Sequence, residues 1–252
     1  MPLRAFASRA GRTSACGTSV SRNFGFRPWR TALFQQAPAR MDKDREERIG
    51  AAQMTDVEVP ADLPAWRRQE RARLLGLRRA MPLDVHKNAS RLIEQALLYR
   101  LPPASRGLIG CYWPFRREFD CIAYMRGVLH CGGRVALPVV IARGQPLEFR
   151  CWTEDAQMEA GDWNIPHPAF GPPVFPSAFI VPVVGFDEGC FRLGYGAGYY
   201  DATLAAYRER PVAIGIGFEF SCLSTINPQP HDYPMDAIIT EACVRERAPR
   251  AV

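Results

Sequence analysis

The sequence lacks any apolar run long enough to cross a membrane. Its longest apolar stretch, AFIVPVVGF, has the length of a single strand, whereas a membrane-spanning helix needs about 20 apolar residues. The N-terminus also lacks the apolar segment of a secretory leader. We therefore expect no membrane partner and no secretion.

Paired cysteines are also missing. The chain has eight cysteines, and no two of them are spaced C-x-x-C, although zinc sites require clustered ligands. Cys111 lies in the apolar run LIGCYW, where a reduced thiol packs as a small hydrophobic side chain. This usage predicts a cytoplasmic protein whose cysteines are reduced.

Acidic residues are absent from the first 40 positions, which contain seven arginines. The chain has a net charge of +6, so subtracting this +7 segment leaves −1 for residues 41–252. We therefore expect no nucleic-acid partner, and an RNA-associated protein that uses the basic segment is the least favoured alternative. An Arg- and Ser-rich, acid-free segment also fits an organellar transit peptide. Because it has no clear amphipathic period, we favour instead a later translation start, at Met41 or Met54.

Helix-like and strand-like patterns alternate along the rest of the chain. A helix is predicted after Pro64, and a second follows Pro82, with Asp84 as its N-cap. Strands are predicted at residues 107–113, 134–140, 146–152, 178–184, 211–218 and 236–240, and further helices at 119–132 and 199–210. Such alternation is typical of an α/β protein.

These patterns predict one folded domain. Residues 61–245 should form a single layered α/β domain with a mostly parallel central sheet flanked by helices. Residues 1–60 are predicted to be a disordered or weakly ordered Arg-rich extension, and residues 246–252 a short tail.

A glycine-rich stretch, FDEGCFRLGYGAGYYDATL, joins a predicted strand to a predicted helix at residues 186–204. Backbone amides in such a loop can bind phosphate, and glycine permits the close approach. Arg192 would add a planar fork of donors for phosphate oxygens. Asp201 would repel the phosphates unless Mg²⁺ lay between them. The spacing matches neither the dinucleotide nor the Walker pattern, and a tight structural turn is the alternative interpretation.

This stretch resembles the signature of 5-formyltetrahydrofolate cyclo-ligases, F-D-x-x-G-x-R-L-G-x-G-x-G-Y-Y-D. Other segments are similar to the same family, in the family's order: a basic helix with Arg67 and Arg71, then YWPFRREFD with Glu118, WNIPHP with Trp163, and PHDYPMDAIITE with Asp232. The resemblance covers essentially the whole predicted domain. It implies the family's NagB/RpiA-like fold.

The resemblance implies an ATP-dependent ring closure. The formyl oxygen of 5-formyltetrahydrofolate would take the γ-phosphoryl group of ATP, N10 would attack the activated carbon, and loss of phosphate would give 5,10-methenyltetrahydrofolate. ATP is then a co-substrate and Mg²⁺ its metal ion, and we expect a monomer that acts on small molecules.

The resemblance also assigns residues to these roles. The implied ATP-binding residues are Arg67, Arg71, Arg192, Leu193, Gly194, Tyr195, Gly196, Ala197, Gly198 and Tyr199. The implied folate-binding residues are Trp113, Glu118, Trp163 and Tyr199. Asp201 and Asp232 would hold Mg²⁺, and Arg192 and Tyr199 would take part in catalysis.

Among the positions that depart from the family pattern, two lack an expected positive charge. The signature often has a basic residue between its second and third glycines, where this chain has Ala197, and often has arginine where this chain has Tyr195. If both cations normally contact phosphate, their loss would weaken ATP binding by a few kcal/mol, since a hydrogen bond to a charged group contributes about 1.5–3 kcal/mol. The chain is therefore either a cyclo-ligase with a modified phosphate site or a paralogue that binds folate or nucleotide with a changed or lost reaction.

Overall fold

A large central sheet dominates the computed structural model, which describes residues 59–102 and 107–248. The strands in chain order are β1 (Leu108–Gly110), β2 (Arg134–Val139), β3 (Glu148–Trp152), β4 (Met158–Ala160), β5 (Pro166–Pro168), β6 (Pro173–Val174), β7 (Ala178–Pro182), β8 (Gly185–Asp187), β9 (Arg192–Leu193), β10 (Val212–Ile216), β11 (Cys222–Leu223), β12 (Ala237–Ile239) and β13 (Val244–Glu246). Eight of them form the central sheet, in the order β13-β12-β10-β7-β1-β2-β3-β6. The predictions for residues 1–58 lie outside the described residues.

The interior of this sheet is parallel and its edges are antiparallel. β12, β10, β7, β1 and β2 pair in parallel, whereas β13 on one side and β3 and β6 on the other are antiparallel to their neighbours. The predicted α/β fold with a mostly parallel sheet is therefore confirmed. No strand was predicted after residues 236–240, which is wrong, because β13 follows and pairs Glu246 with Ala237. The sheet thus reaches one residue beyond the predicted domain boundary at 245.

The helices in the described ranges are α1 (Leu63–Ala80), α2 (Leu83–Arg100), α3 (Ile122–His130) and α4 (Tyr199–Ala205). Helix α1 begins where Asp62 accepts a hydrogen bond from the backbone N–H of Ala65 at 2.8 Å. Pro82, rather than the predicted Asp84, precedes the first turn of α2. Both α3 and α4 are shorter than predicted. No helix in this part of the chain is long and apolar enough to span a membrane.

Apolar clusters cover both faces of the sheet. In β7, Phe179 and Val181 pack in one cluster with Leu204 of α4, whereas Ile180 packs in another with Ile93 of α2. Successive side chains of a strand point to opposite faces, so α4 and α2 cover opposite sides. The first four residues of β7 are buried, as predicted for a central parallel strand.

A small three-stranded sheet holds the start of the glycine-rich stretch. β8 pairs in parallel with β11 and antiparallel with β9. Asp187, at the end of β8, accepts hydrogen bonds from the backbone N–H groups of Gly189 and Phe191 at 3.0 and 3.1 Å. Helix α1 packs on this region through Leu74, which clusters with Leu193. α1 and the glycine-rich loop are therefore neighbours.

Candidate active site

All fifteen residues that the family resemblance assigned to a site line one cavity of about 230 Å³. The cavity lies at the carboxyl ends of parallel strands, because Trp113 follows β1, Val140 follows β2 and Pro182 ends β7. Open α/β sheets commonly bind ligands at this edge. The fold therefore brings together segments that the sequence places as far apart as Arg67 and Asp232.

The glycine-rich loop runs from β9 to α4 along this cavity. Gly196 has a φ of 101° and Gly198 a φ of 72°, values that glycine adopts without strain. Arg71 of α1 lies against the loop. Its Nε donates a hydrogen bond to the backbone oxygen of Gly194 at 2.8 Å, and a Cβ atom added at Gly196 would lie 3.3 Å from its Cζ. Arg71 of α1 thus places a positive charge beside the loop.

Arg67 is held by Asp232 and by backbone oxygens. Its Nη2 lies 2.6 Å from Oδ2 of Asp232, and the two side chains are 12% and 9% exposed. It also donates hydrogen bonds to the oxygens of Ile226 and Asn227 at 3.2 and 2.8 Å. Burial tends to raise the pKa of Asp232, but hydrogen bonds from Arg67 and from the backbone of Gln229 hold it below its ordinary value. The Asp232 carboxylate is therefore ionised at neutral pH.

Arg192 forms a second ion pair, with Asp201. Nη2 of Arg192 lies 2.9 Å from Oδ2 of Asp201, and the side chains are 5% and 18% exposed. The contact lacks the alignment of a hydrogen bond, and in the described structure the buried Nε and Nη2 of Arg192 have no hydrogen-bond partner. The guanidinium lies 5.5 Å from the ring centroid of Tyr200, and Asp201 accepts a hydrogen bond from the backbone of Tyr233 at 3.0 Å. Arg192 is therefore oriented but retains unused donors.

Glu118 is a buried carboxylate in the same cavity, 6% exposed. It accepts hydrogen bonds from the backbone N–H of Phe115 and the hydroxyl of Tyr195, both at 2.9 Å. Nη1 of Arg78 lies 3.8 Å from its Oε1. Burial raises the pKa of Glu118 to about 7, and the charge of Arg78 and the two hydrogen bonds limit the rise. Glu118 therefore changes its charge near neutral pH.

Three aromatic rings form a wall beside Glu118. The rings of Phe115 and Trp163 are within 10° of parallel, with centroids 6.3 Å apart, and Tyr195 lies 5.9 Å from Trp163. Trp163 is 54% exposed and has a φ of 56°, which is uncommon for a residue with a side chain. The wall offers a flat ligand an apolar surface. Tyr195, assigned to ATP by the resemblance, thus has its side chain among the residues assigned to folate.

Sequence reasoning missed Arg78, Phe115 and Tyr200. Arg78 is buried, and it follows Arg71 by seven residues and Leu74 by four, so all three lie on one face of α1. That spacing, with the apolar Leu74 in its centre, could have indicated that Arg78 points inward. Tyr200 lines the cavity, and its buried hydroxyl has no partner in the described part of the chain.

The two aspartates suit a metal ion that arrives with a ligand. Across residues 59–102 and 107–248, no group of three or more His, Cys, Asp or Glu side chains could hold a metal ion by itself. Asp201 and Asp232 both line the cavity, each paired with an arginine. Mg²⁺ is usually held by one or two carboxylates together with substrate phosphates. The donors therefore fit Mg²⁺ bound to a nucleotide.

Comparison with known proteins gives one consistent family. Residues 64–241 match the sequence profile of the 5-formyltetrahydrofolate cyclo-ligase family. A 5-formyltetrahydrofolate cyclo-ligase of Mycolicibacterium smegmatis is 29% identical over 188 residues, which cover 70% of this chain and 94% of that protein.

Solved structures agree with this family. The NMR structure of Aquifex aeolicus 5,10-methenyltetrahydrofolate synthetase is similar, with a TM-score of 0.63 and 26% identity over 74% of this chain and 95% of that one. A 5,10-methenyltetrahydrofolate synthetase from Mycoplasma pneumoniae has a TM-score of 0.58 and 23% identity, over 69% of this chain and 98% of that one. The second likeness supports the fold alone.

Proposed function

The chain belongs to the 5-formyltetrahydrofolate cyclo-ligase family, and we propose that it converts 5-formyltetrahydrofolate and ATP to 5,10-methenyltetrahydrofolate, ADP and phosphate. The observation that carries this proposal is the meeting of all fifteen assigned residues in one cavity. We assign the glycine-rich loop and the three arginines of that cavity to one substrate, and the aromatic wall and Glu118 to the other. Such a division suits one phosphorylated substrate and one flat heterocyclic substrate.

The triphosphate of ATP would lie along the glycine-rich loop. Arg71 contacts the loop at Gly194, so its charge lies beside backbone amides that can also bind phosphate. Arg67 and Arg192 would supply two further guanidinium groups. Each is already oriented by an aspartate, and donors fixed in advance need no reorganisation during the reaction. Three arginines would thus neutralise the phosphates although Ala197 carries no charge.

The pterin ring would lie against the aromatic wall of Phe115, Trp163 and Tyr195. Glu118 would accept hydrogen bonds from pterin N–H groups, which are stronger when the acceptor is charged. Trp113 and Tyr199 also line this cavity and would complete the surface around the folate. The residues proposed for ATP and those proposed for folate line the same cavity, so the formyl group could meet the γ-phosphate.

The proposed reaction has two displacements. The formyl oxygen bonds to the γ-phosphorus while the bond to the bridging oxygen of ADP breaks. N10 then attacks the formyl carbon, loses its proton, and the carbon–oxygen bond breaks to release phosphate. Arg192, with unused donors in a buried position, would neutralise the phosphoryl group during transfer, and Tyr199 would pack beside the reacting groups. Phosphoryl transfer depends mainly on such positioning and charge neutralisation.

Mg²⁺ would be held by Asp201 and Asp232 together with oxygens of the nucleotide. It would supply positive charge that neutralises the β- and γ-phosphates. Release of the aspartates from their arginines is not required, since a carboxylate has about four acceptor positions.

The test is to follow the absorbance of 5,10-methenyltetrahydrofolate when the full chain is mixed with 5-formyltetrahydrofolate and MgATP. We expect product that requires ATP and disappears when Mg²⁺ is chelated. Arg71→Met should greatly raise the KM for ATP, whereas Arg73→Met is a matched control, because Arg73 is 48% exposed and pairs only locally with Glu70. Folate binding without product would overturn the proposed reaction and support the paralogue alternative.

Cellular location and oligomeric state stay predictions. We propose a cytoplasmic monomer, with an organellar location as the alternative if residues 1–40 are a transit peptide. Locating the native protein in fractionated cells and measuring its mass in solution would decide both.

A further inference from the structure

Arg78 is a buried arginine with no direct access to the cavity. It is 2% exposed, and it is not among the residues that line the cavity, whereas Arg67 and Arg71 of the same helix are. Its Nη2 donates a hydrogen bond to the backbone oxygen of Val183 at 2.6 Å. A neutral carbonyl does not compensate a buried positive charge, so the other contacts of Arg78 matter more.

Those other contacts are two residues that do line the cavity. Nη1 of Arg78 donates a hydrogen bond to the Tyr195 hydroxyl at 3.3 Å and lies 3.8 Å from Oε1 of Glu118. Tyr195 in turn donates its hydroxyl proton to the same Glu118 oxygen at 2.9 Å. Arg78, Tyr195 and Glu118 therefore form a closed set of contacts, which we call the Glu118 triangle. Its members come from α1, from the glycine-rich loop and from the segment after β1.

The triangle fixes one side of the Glu118 carboxylate. Oε1 is held by Tyr195 and faces Arg78, and Oε2 accepts the hydrogen bond from the backbone of Phe115. A carboxylate has about four acceptor positions, so acceptor capacity remains for a ligand. Because both oxygens are anchored, the remaining lone pairs have a defined direction.

Arg78 is also the principal cation near Glu118. Burial raises the pKa of Glu118, and the charge of Arg78 is the largest effect that opposes the rise. The titratable groups that interact with Glu118 are Arg78 of α1, Tyr195 of the glycine-rich loop, Tyr200 of α4, and Tyr112, Arg116 and Cys121 of the segment after β1. Burial raises the pKa of the three tyrosines and the cysteine, so they are neutral at pH 7. Only the two arginines are charged, and Arg78 has the larger effect.

We propose that Arg78 is a positioning residue for folate binding, which acts directly and through Tyr195 to keep Glu118 ionised and oriented toward pterin N–H donors. The inference rests on the proposed function, because it takes Glu118 as the folate contact. Helix α1 would then serve both substrates, with Arg67 and Arg71 at the nucleotide and Arg78 behind the folate.

The test compares Arg78→Met and Tyr195→Phe with the wild type, by measuring kcat and the KM for each substrate between pH 6 and 9. Without the charge of Arg78, Glu118 is protonated at pH 7, and the pterin loses its hydrogen bonds to a charged acceptor. Arg78→Met should therefore raise the folate KM at pH 7 about tenfold or more. It should also move the midpoint of the pH dependence of that KM upward by about one unit or more, because an opposite charge this close lowers a carboxyl pKa by about 1–3 units. The folate KM should therefore recover at high pH. The KM for ATP should change much less.

Two variants separate positioning from folding. Tyr195→Phe removes one hydroxyl and leaves the bond between Arg78 and Val183, and it should move the pH midpoint in the same direction by a smaller amount. Arg79→Met is the matched control, because Arg79 is exposed on the same helix, and its folate KM and pH midpoint should equal those of the wild type. If Arg78→Met does not fold, Arg78→Gln, which removes the charge but keeps an N–H donor for the oxygen of Val183, replaces it with the same expected shift.

Each outcome bears on a different claim. If the wild type makes product, and both Arg78→Met and Tyr195→Phe keep the wild-type pH midpoint and folate KM, the role of Arg78 is overturned and the proposed reaction stands. A wild type that binds folate without turnover overturns the proposed reaction, and folate titrations of the same variants against pH still decide the role of Arg78. A wild type that neither converts nor binds the folate overturns both.

Discussion

Replacing Arg192 by methionine should destabilise the protein and slow its reaction through two separable effects. Removing one member of a buried ion pair costs about 3–5 kcal/mol. Asp201 is 18% exposed and keeps its hydrogen bond from the backbone of Tyr233, so we expect the smaller cost of about 2–3 kcal/mol. For a domain of this size each kcal/mol lowers Tm by about 2–4 °C, which gives a decrease of about 4–12 °C. If Arg192 donates to the phosphoryl group during transfer, as proposed, its loss should lower kcat by about 10²–10³-fold.

A double-mutant cycle with Asp201→Asn distinguishes these effects. The asparagine removes the charge that Arg192→Met leaves unpaired, so the double variant should be more stable than the two single costs imply, with a coupling of about 1–2 kcal/mol. Its kcat should stay low, because the guanidinium and the Asp201 charge proposed to hold Mg²⁺ are both missing, so stability, not kcat, is the readout of the coupling. The assay is thermal unfolding together with initial rates for the four proteins.

A matched surface pair provides the control for the cycle. Arg126 lies 2.8 Å from Glu154, but these side chains are 55% and 44% exposed, and exposed pairs contribute about 0–1 kcal/mol. Arg126→Met should therefore leave Tm and kcat nearly unchanged. Strictly additive costs in the Arg192 cycle, or a wild-type kcat in Arg192→Met, would refute the reasoning.

Three other substitutions test single parts of the site. The ionised form of Glu118 is the better acceptor and its pKa is about 7, so the wild-type folate KM should fall as pH rises through that value. Glu118→Gln should raise the folate KM about tenfold and flatten its pH profile. An unchanged profile would count against Glu118 as the folate contact. Ala197→Lys adds a cation to the glycine-rich loop and should lower the KM for ATP several-fold. An equal KM would show that this position does not reach phosphate. Asp232→Asn removes a proposed metal ligand and the partner of Arg67, so it should raise the Mg²⁺ concentration at half-maximal rate while the folate KM stays nearly constant.

The alternation of elements was visible in the sequence because the longer elements repeat their pattern several times. The continuous apolar run predicted β7, and the helical spacing of apolar residues predicted α1. The predicted strand at 146–152 contains β3. Strands of two or three residues, such as β9 and β11, are too short to show a period. β13 also has only three residues, none of them buried, so no apolar pattern marked it as a strand.

The site was predicted as a set of residues, and its contacts were not. The order of motifs along the chain gave Arg192, Asp201 and Glu118, but no local pattern states that Arg192 faces Asp201. The bond between Tyr195 and Glu118 joins residues 77 positions apart, and it exists only because β9 and the segment after β1 meet at one edge of the sheet. Long-range contacts of this kind depend on the whole fold, whereas a glycine-rich loop depends on local backbone freedom.

The most direct measurement follows the formyl oxygen. If the substrate carries ¹⁸O in its formyl group, phosphoryl transfer to that oxygen places the label in the released phosphate. We predict one labelled oxygen in each phosphate, released in equal amount with 5,10-methenyltetrahydrofolate. Unlabelled phosphate, or phosphate released without the methenyl product, would contradict the proposed reaction and leave this cavity as a site that hydrolyses or only binds its nucleotide.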